Sequence, residues 1–359
     1  MQNDGHTAQG QFGTRHNEHA PAGASQIGNW RYTASAPHIG PDEQTAALEC
    51  LMAGEPSSGR YVQAFEQAFA QLHGAKHAIA VANGTASVHL ALLAAEIGQS
   101  PDDEVIQPSL NSVGAANMTV AVGARPVFAD IVSLTEPTLD PDEVRALIGP
   151  NTRAVVAMHY GGYPARIAAL ETLCRKHGML LIEQCCHGPG FVGPELGDRA
   201  LGTVGDIGCF SLGPDIPAAC GGSGGMIVTD DDALAARMRS LLLQSATPLH
   251  CNRNPGRTST ANIAAHGFNF HMDDLRAAIG LAQLNIVPTA NTQRQRRAQA
   301  YANVVETFCD GIIEYAFGWA PMEGTAHVAA ILVEPSKRNN LRAFLTEKRV
   351  QTSLHYPPL

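Results

Sequence analysis

Apolar residues along the chain follow two spacings in turn, and the alternation predicts helices and strands. From Arg60 to His73 they recur every three or four residues, which predicts an amphipathic helix. Short apolar runs predict buried strands at 78–81, 104–107, 126–130, 153–158, 179–183 and 226–229. Further helices are predicted at 87–95, 113–122, 168–176 and 232–243. Strands that alternate with helices of this length indicate an α/β fold with a mostly parallel sheet covered on both sides.

The two ends of the chain differ from this middle. Residues 1–30 are rich in Gly, His, Asn, Gln and Ala and nearly lack large apolar residues, which predicts a disordered tail. Residues 31–250 are predicted to form a large domain. Residues 251–359 are predicted to hold a long helix, with room for a break, over 272–305, followed by a small α+β domain. That small domain takes a strand at 328–334 and a helix at 338–348.

Composition excludes several classes of protein. The chain has 359 residues, of which 45% are hydrophobic, and this is enough for a large core and a second, smaller domain. The formal net charge is −9 and no basic run is present, so a nucleic-acid partner is not expected. No apolar stretch has the roughly 20 residues that span a bilayer, and the first residues lack a secretory pattern. The expected location is cytoplasmic.

The eight cysteines form no regular framework and no CxxC pair. They stand at positions 50, 174, 185, 186, 209, 220, 251 and 309, mostly among apolar residues. We therefore expect reduced and mostly buried thiols.

Nine short motifs occur in an order and spacing that is more specific than any one of them. They are Gly59–Val62, Asn83–Ala86, Asp103–Ile106, Gly123–Asp130, His159–Pro164, Ile182–Glu183, Gly205–Ile207, Phe210–Ser211 and Asn269–Met272. Over residues 41–358 the chain resembles the DegT/StrS-type sugar aminotransferases, a branch of the fold-type I enzymes that use pyridoxal phosphate (PLP). The resemblance implies a seven-stranded sheet in the large domain, a homodimer with shared sites, and large anionic small-molecule substrates such as nucleotide-linked sugars.

The resemblance also implies three residues that hold the cofactor ring, and none of them is present. Ile216 stands where the family has the lysine that binds PLP as an imine, and isoleucine has no amine. Gln184 replaces the carboxylate that keeps the pyridine nitrogen protonated. Ser112 replaces the aromatic ring that stacks on the cofactor. A covalently bound cofactor is therefore not expected.

The residues that bind the cofactor's phosphate in the family are retained. Gly84, Thr85 and Ala86 match the phosphate loop, and Ser211 matches the phosphate-binding serine. Asn269 matches an asparagine that reaches the phosphate from the neighbouring subunit. Two interpretations stay open: a retained anion-binding role, or inheritance of small polar residues that the turns and helix caps require.

Two polar residues near these positions are candidates for catalysis. His187 fits the family pattern, and Asp215 precedes Ile216, although Asp215 also suits a turn after Gly213-Pro214. A metal site at Cys185, Cys186 and His187 is disfavoured, because no suitably spaced fourth ligand follows. A thiol activated by His187 is also less favoured than a buried structural one.

Three functions are compatible with this sequence. The first is a repurposed, PLP-independent enzyme that acts on an intermediate of a sugar or natural-product pathway. The second is a non-catalytic partner subunit that completes the site of an active relative in a heterodimer. The third, ranked last, is an enzyme that holds PLP or its amine form (PMP) without a covalent bond.

Overall fold

The computed structural model describes residues 30–35, 39–54, 59–214, 216–243, 266–309, 311–357 and 359. Nearly all of the predicted disordered tail, Asp215 and the predicted boundary between the domains at 250 lie outside these residues. Within the described ranges, no helix combines the length and the hydropathy needed to cross a membrane.

A seven-stranded sheet forms the centre of the molecule. Its strands are β1 (His77–Val81), β2 (Glu104–Pro108), β3 (Arg125–Ala129), β4 (Thr152–Met158), β5 (Leu180–Gln184), β6 (Ile207–Leu212) and β7 (Gly224–Thr229). The order across the sheet is β1-β7-β6-β5-β4-β2-β3. Only β7 is antiparallel to its neighbours, β1 and β6. The predicted α/β class with a mostly parallel sheet is confirmed.

The described residues form ten α-helices, which pack around this sheet and around a second, two-stranded sheet. They are α1 (Pro41–Met52), α2 (Arg60–His73), α3 (Gly84–Ala94), α4 (Val113–Ala121), α5 (Pro141–Leu147), α6 (Ile167–His177), α7 (Asp232–Leu242), α8 (Asp274–Leu284), α9 (Val287–Phe308) and α10 (Pro335–Glu347). Several begin at side-chain caps: Asn83, Asp140, Asp231 and Asp273 each accept a hydrogen bond from the first turn of their helix. A second sheet pairs β8 (Ile313–Tyr315) with β9 (Ile331–Val333).

The sheet separates two apolar layers, because successive residues of a strand face opposite sides. Leu181 and Phe210 lie in the layer that also contains residues of α2 and α6. Ile182 and Cys209 lie in the other layer, together with residues of α3 and α7. Strands buried on both faces explain why their sequences are continuous apolar runs.

Most predicted elements agree with the structure, and the differences have local causes. The predicted long helix breaks at Asn285–Ile286 into α8 and α9, with Pro288 in the first turn of α9. Strand β6 contains the Phe210–Ser211 motif, but its apolar pattern alone does not predict a strand. Helices α1 and α5 and strand β8 were not predicted, since each is short or only weakly amphipathic.

Candidate functional site

Gln184 and Ser211 lie at the carboxyl ends of the neighbouring strands β5 and β6, on the same face of the sheet. In the β5–β6 register Gln184 is opposite Cys209, and Ser211 follows two residues further on. Residues two apart share a face, and Ile182 and Cys209 both pack in the α3 layer. Gln184 and Ser211 therefore face α3 at the carboxyl end of parallel strands, where ligands of open α/β sheets bind.

The N-terminus of α3 lies directly against Ser211. A Cβ atom added to Gly84 would lie 2.5 Å from the Cβ of Ser211, so only glycine fits. The Asn83 side chain accepts a hydrogen bond of 2.8 Å from the amide of Ala86. The amides of Gly84 and Thr85 have no partner within the helix, and they give its positive end two donors for an anion.

Three hydroxyl groups border this end of the helix. A Cβ atom on Gly114 would lie 3.4 Å from Thr85 Oγ1 and 3.9 Å from Ser112 Oγ, so the two side chains line one space. Ser112 precedes α4 without capping it through its side chain. With Ser211 they offer further hydrogen bonds. We call Gly84, Thr85, Ser112 and Ser211 the anion cup. Ala86 was also predicted to bind the phosphate, but its amide already donates to the Asn83 side chain.

Gln184 is held by a neighbour that the sequence analysis did not single out. Asn111 Nδ2 donates a hydrogen bond of 2.7 Å to Gln184 Oε1. Asn111 Oδ1 in turn accepts one of 2.7 Å from the backbone amide of Ser112. Both side chains are buried, and Gln184 stands at the position where the sequence resemblance implies a carboxylate.

His187 is buried and held at both ring nitrogens. Its Nδ1 accepts a hydrogen bond of 3.2 Å from the backbone amide of Gly161, and its Nε2 lies 3.1 Å from the Tyr356 hydroxyl. The neutral ring therefore carries its proton on Nε2 and donates it to Tyr356. Burial, and next the nearby His355, lower the pKa of His187 to about 3. In this arrangement His187 positions the Tyr356 hydroxyl, whose own pKa is raised by burial.

The residue before Gln184 belongs to a different, closed network. Glu183 accepts hydrogen bonds from His159 Nε2 at 2.9 Å and from the backbone amides of Gly202, Val204 and Gly205. His159 Nδ1 accepts from the amide of Ala165, so its proton is on Nε2. The ligand atoms of His159, Glu183 and Cys185 lie within 4.8 Å of one another. Because the nitrogen and oxygen atoms already have partners, we interpret this group as structural and not as a metal centre.

The thiols near the cup are unreactive by their surroundings. Burial raises the pKa of Cys186 to about 11, although the backbone amide of Ser211 partly offsets this effect. Burial also raises the pKa of Cys220 to about 11 and that of Cys185 well above its ordinary value. None of these three thiols is therefore expected to supply a thiolate nucleophile at neutral pH.

Ile216 lies half-buried in the loop after β6. Its amide donates to Gly213 O at 3.3 Å. All four lysines of the sequence are exposed: Lys76, Lys176, Lys337 and Lys348. Asn269 is also exposed and pairs with Leu243 in an isolated bridge. Asp215 has no described placement.

Comparisons with known proteins identify the class of this fold. The sequence profile of the DegT/DnrJ/EryC1/StrS aminotransferase family matches residues 37–359. The chain therefore belongs to this family, as the motifs predicted.

Solved structures agree with this assignment. The aminotransferase TlmJ from Streptoalloteichus hindustanus is 29% identical with a TM-score of 0.82, over 91% of this chain and 86% of TlmJ. DesI, solved in the presence of its TDP-sugar product, is 26% identical with a TM-score of 0.77, over 92% of this chain and 81% of DesI. NtdA from Bacillus subtilis, solved with bound cofactor PMP, is 26% identical with a TM-score of 0.77, over 91% and 75% of the two chains.

The residues of this site fit one half of the cofactor that the family implies. The anion cup suits a phosphate group. The ring half does not fit: Ile216 offers no amine, Ser112 offers no aromatic face, and Gln184 is neutral with its carbonyl already bonded to Asn111. We therefore derive no chemistry through PLP.

Sequence reasoning missed Asn111 and Tyr356. Asn111 stands beside Ser112 in the sequence, and Tyr356 belongs to the His355-Tyr356-Pro357 motif, so both had a signal. Asn111 contacts a residue 73 positions away in the sequence, and Tyr356 contacts one 169 positions away. No local sequence pattern predicts such contacts.

Proposed function

We propose that this chain is a PLP-independent enzyme that keeps the family's anion cup and acts on a phosphate-bearing intermediate of a biosynthetic pathway. The observation that carries the proposal is the close approach of Gly84 to Ser211, next to a site with isoleucine at the imine position. That approach leaves no room for a Cβ atom, and it brings the Ser211 hydroxyl beside the helix N-terminus, whose first amides have no partner within the helix.

A nucleotide-linked or phosphorylated small molecule suits this cup. DesI is a relative with a TDP-sugar product, and a helix N-terminus with adjacent hydroxyls binds such phosphates without needing a cofactor. The Tyr356 hydroxyl, held by His187 and kept protonated by burial, is then a proton donor, and Asp215 is the base predicted from the sequence. We keep the homodimer and the cytoplasmic location as predictions.

Two binding measurements test this proposal. Calorimetry with inorganic phosphate should show binding that weakens about tenfold or more in Ser211→Ala, because a hydrogen bond to a charged group contributes roughly 1.5–3 kcal/mol. Ser336→Ala, on the exposed surface of α10, is the matched control. Borohydride reduction of the purified protein, without added PLP, should leave the intact mass unchanged; PLP is not added because it would label the four exposed lysines. A covalent adduct, or equal affinity in both variants, would contradict the proposal.

A partner-subunit role is the second candidate, and the exposure of Asn269 favours it. A side chain that is exposed in its own chain is free to complete a neighbour's site. Copurification with a lysine-bearing relative, and activity only in the mixture, would select this candidate. Non-covalent PLP or PMP ranks third, since the ring half of the site lacks its partners.

A further inference from the structure

The orientation of two buried amides in the pocket follows from one backbone group. The Ser112 amide donates to Asn111 and cannot accept, so the atom it meets is oxygen and the other Asn111 atom is Nδ2. An amide nitrogen does not accept either. The Gln184 atom 2.7 Å from Nδ2 is therefore Oε1, and Gln184 Nε2 is turned the other way.

That nitrogen belongs to a buried side chain but has no partner among the described residues. Gln184 is 5% exposed and Asn111 is 1% exposed, yet Gln184 Nε2 has no hydrogen bond to another described residue. Unlike both amide atoms of Gln107, it is not at once sealed from solvent and without a partner. Gln184 also shares its sheet face with Ser211, so Nε2 and the anion cup border the same end of the sheet.

We infer that the Asn111–Gln184 pair presents a hydrogen-bond donor, Gln184 Nε2, to the space beside the anion cup. We call this space the pocket and its Gln184 side the pocket floor. The site therefore selects an anionic ligand with an acceptor facing Gln184. That acceptor is a carbonyl oxygen or an unprotonated ring nitrogen. A carboxylate at this position would select the opposite, a protonated nitrogen. The inference rests on the proposed function in taking the anion cup as the second contact. A ligand that presents an N–H donor instead would leave both its own N–H and the N–H of Gln184 unpaired, and it would bind more weakly.

Pyridoxine 5′-phosphate is a suitable probe. It has a phosphate for the cup and a ring nitrogen that titrates, but no aldehyde, so it cannot form an imine. The wild type should bind the probe with its ring unprotonated, and binding should tighten as pH rises through the ring's pKa. In Gln184→Asp the preference should reverse, so that the ring is held protonated. Ultraviolet absorbance of the bound probe reports its protonation.

Asn111 provides a test that leaves Gln184 untouched. In Asn111→Asp the carboxylate accepts from both Ser112 N and Gln184 Nε2, which turns Oε1 towards the pocket and favours the protonated ring. Asn111→Leu removes the lock without adding a charge, and the bound ring should then titrate between the two extremes. Ser336→Ala is again the unaffected control.

The free protein gives an independent reading that does not need the probe. In an atomic-resolution crystal structure, C=O and C–N bonds of about 1.23 and 1.33 Å identify the two Gln184 amide atoms. Oε1 towards the pocket, or a wild type that holds the ring protonated as Gln184→Asp does, would overturn the inference. If the probe does not bind, or binds Ser211→Ala equally well, the anion cup does not bind phosphate and the proposed function is wrong. The amide orientation then still decides the polarity of the floor.

Discussion

Glu183 and Gln184 are neighbours at the end of β5, but they serve opposite faces of the sheet. Glu183 is fully buried, and both carboxylate oxygens are used by His159 and by the 202–205 loop. Gln184 is nearly as buried, but only its oxygen has a partner among the described residues. A group whose hydrogen bonds are all satisfied holds the fold together, whereas a buried group whose donor nitrogen has no partner among the described residues is available to a ligand. The contrast separates the structural acid from the candidate binding residue more sharply than burial does.

The largest effect on stability should come from Glu183, whose hydrogen bonds are all satisfied within the protein. Glu183→Ala leaves three backbone amides and the His159 N–H unpaired in the core, and we expect a loss of about 3–5 kcal/mol in the free energy of unfolding. Urea denaturation measures it, with the exposed Glu314→Ala as control. A loss below about 1 kcal/mol would erase the distinction between the two residues.

The buried His187 should make the free energy of unfolding depend on pH. The folded pKa of His187 is lowered to about 3 from 6.5, so the unfolded chain binds the extra proton between these values and stability falls as pH falls. His187→Gln should remove about 1.4 kcal/mol per pH unit of that slope between about pH 6 and 4. Urea midpoints at several pH values test this, with the exposed His177→Gln as control. An unchanged slope would mean that the folded protein protonates His187.

The junction between helix and strand should be sensitive to one methyl group. Gly84→Ala brings a Cβ atom within 2.5 Å of Ser211, and we expect a cost of about 1–3 kcal/mol from overpacking together with loss of phosphate affinity. Gly149→Ala, where the nearest atom would be 3.8 Å away, is the matched control. Calorimetry and thermal unfolding of both variants decide whether the close approach matters for binding.

The smallest effect should be the return of a lysine. Ile216→Lys supplies the amine, but Gln184 and Ser112 still lack the carboxylate and the aromatic ring, so transamination should stay at background. Stopped assays with PLP, an amino donor and keto-sugar acceptors measure it, against the same lysine combined with Gln184→Asp and Ser112→Tyr. Robust turnover in the single variant would show that the pocket floor is not limiting.

The fold was largely predictable because the strands of the sheet other than β6 are runs of apolar residues, most of them separated by segments with helical periodicity. The positions of Gln184, Ser112 and Ser211 were also predictable, since motif order fixes them along the chain. The direction of the Gln184 amide was not, because it depends on how Asn111 meets the amide of Ser112. Tyr356 was missed for a related reason: it reaches His187 from the far end of the sequence. The shallow pattern of α1 and α5 hid those helices, whose burial depends on tertiary contacts.

The tight junction between Gly84 and Ser211 also offers a way to identify an unknown substrate. An anion seated there touches a helix and a strand from different parts of the chain, and it has no equivalent binding site once the two separate. Occupancy at about a hundred times the dissociation constant would add about 2.7 kcal/mol to the folded state. A melting-temperature screen of phosphorylated metabolites would then rank candidates even while the reaction itself is undefined.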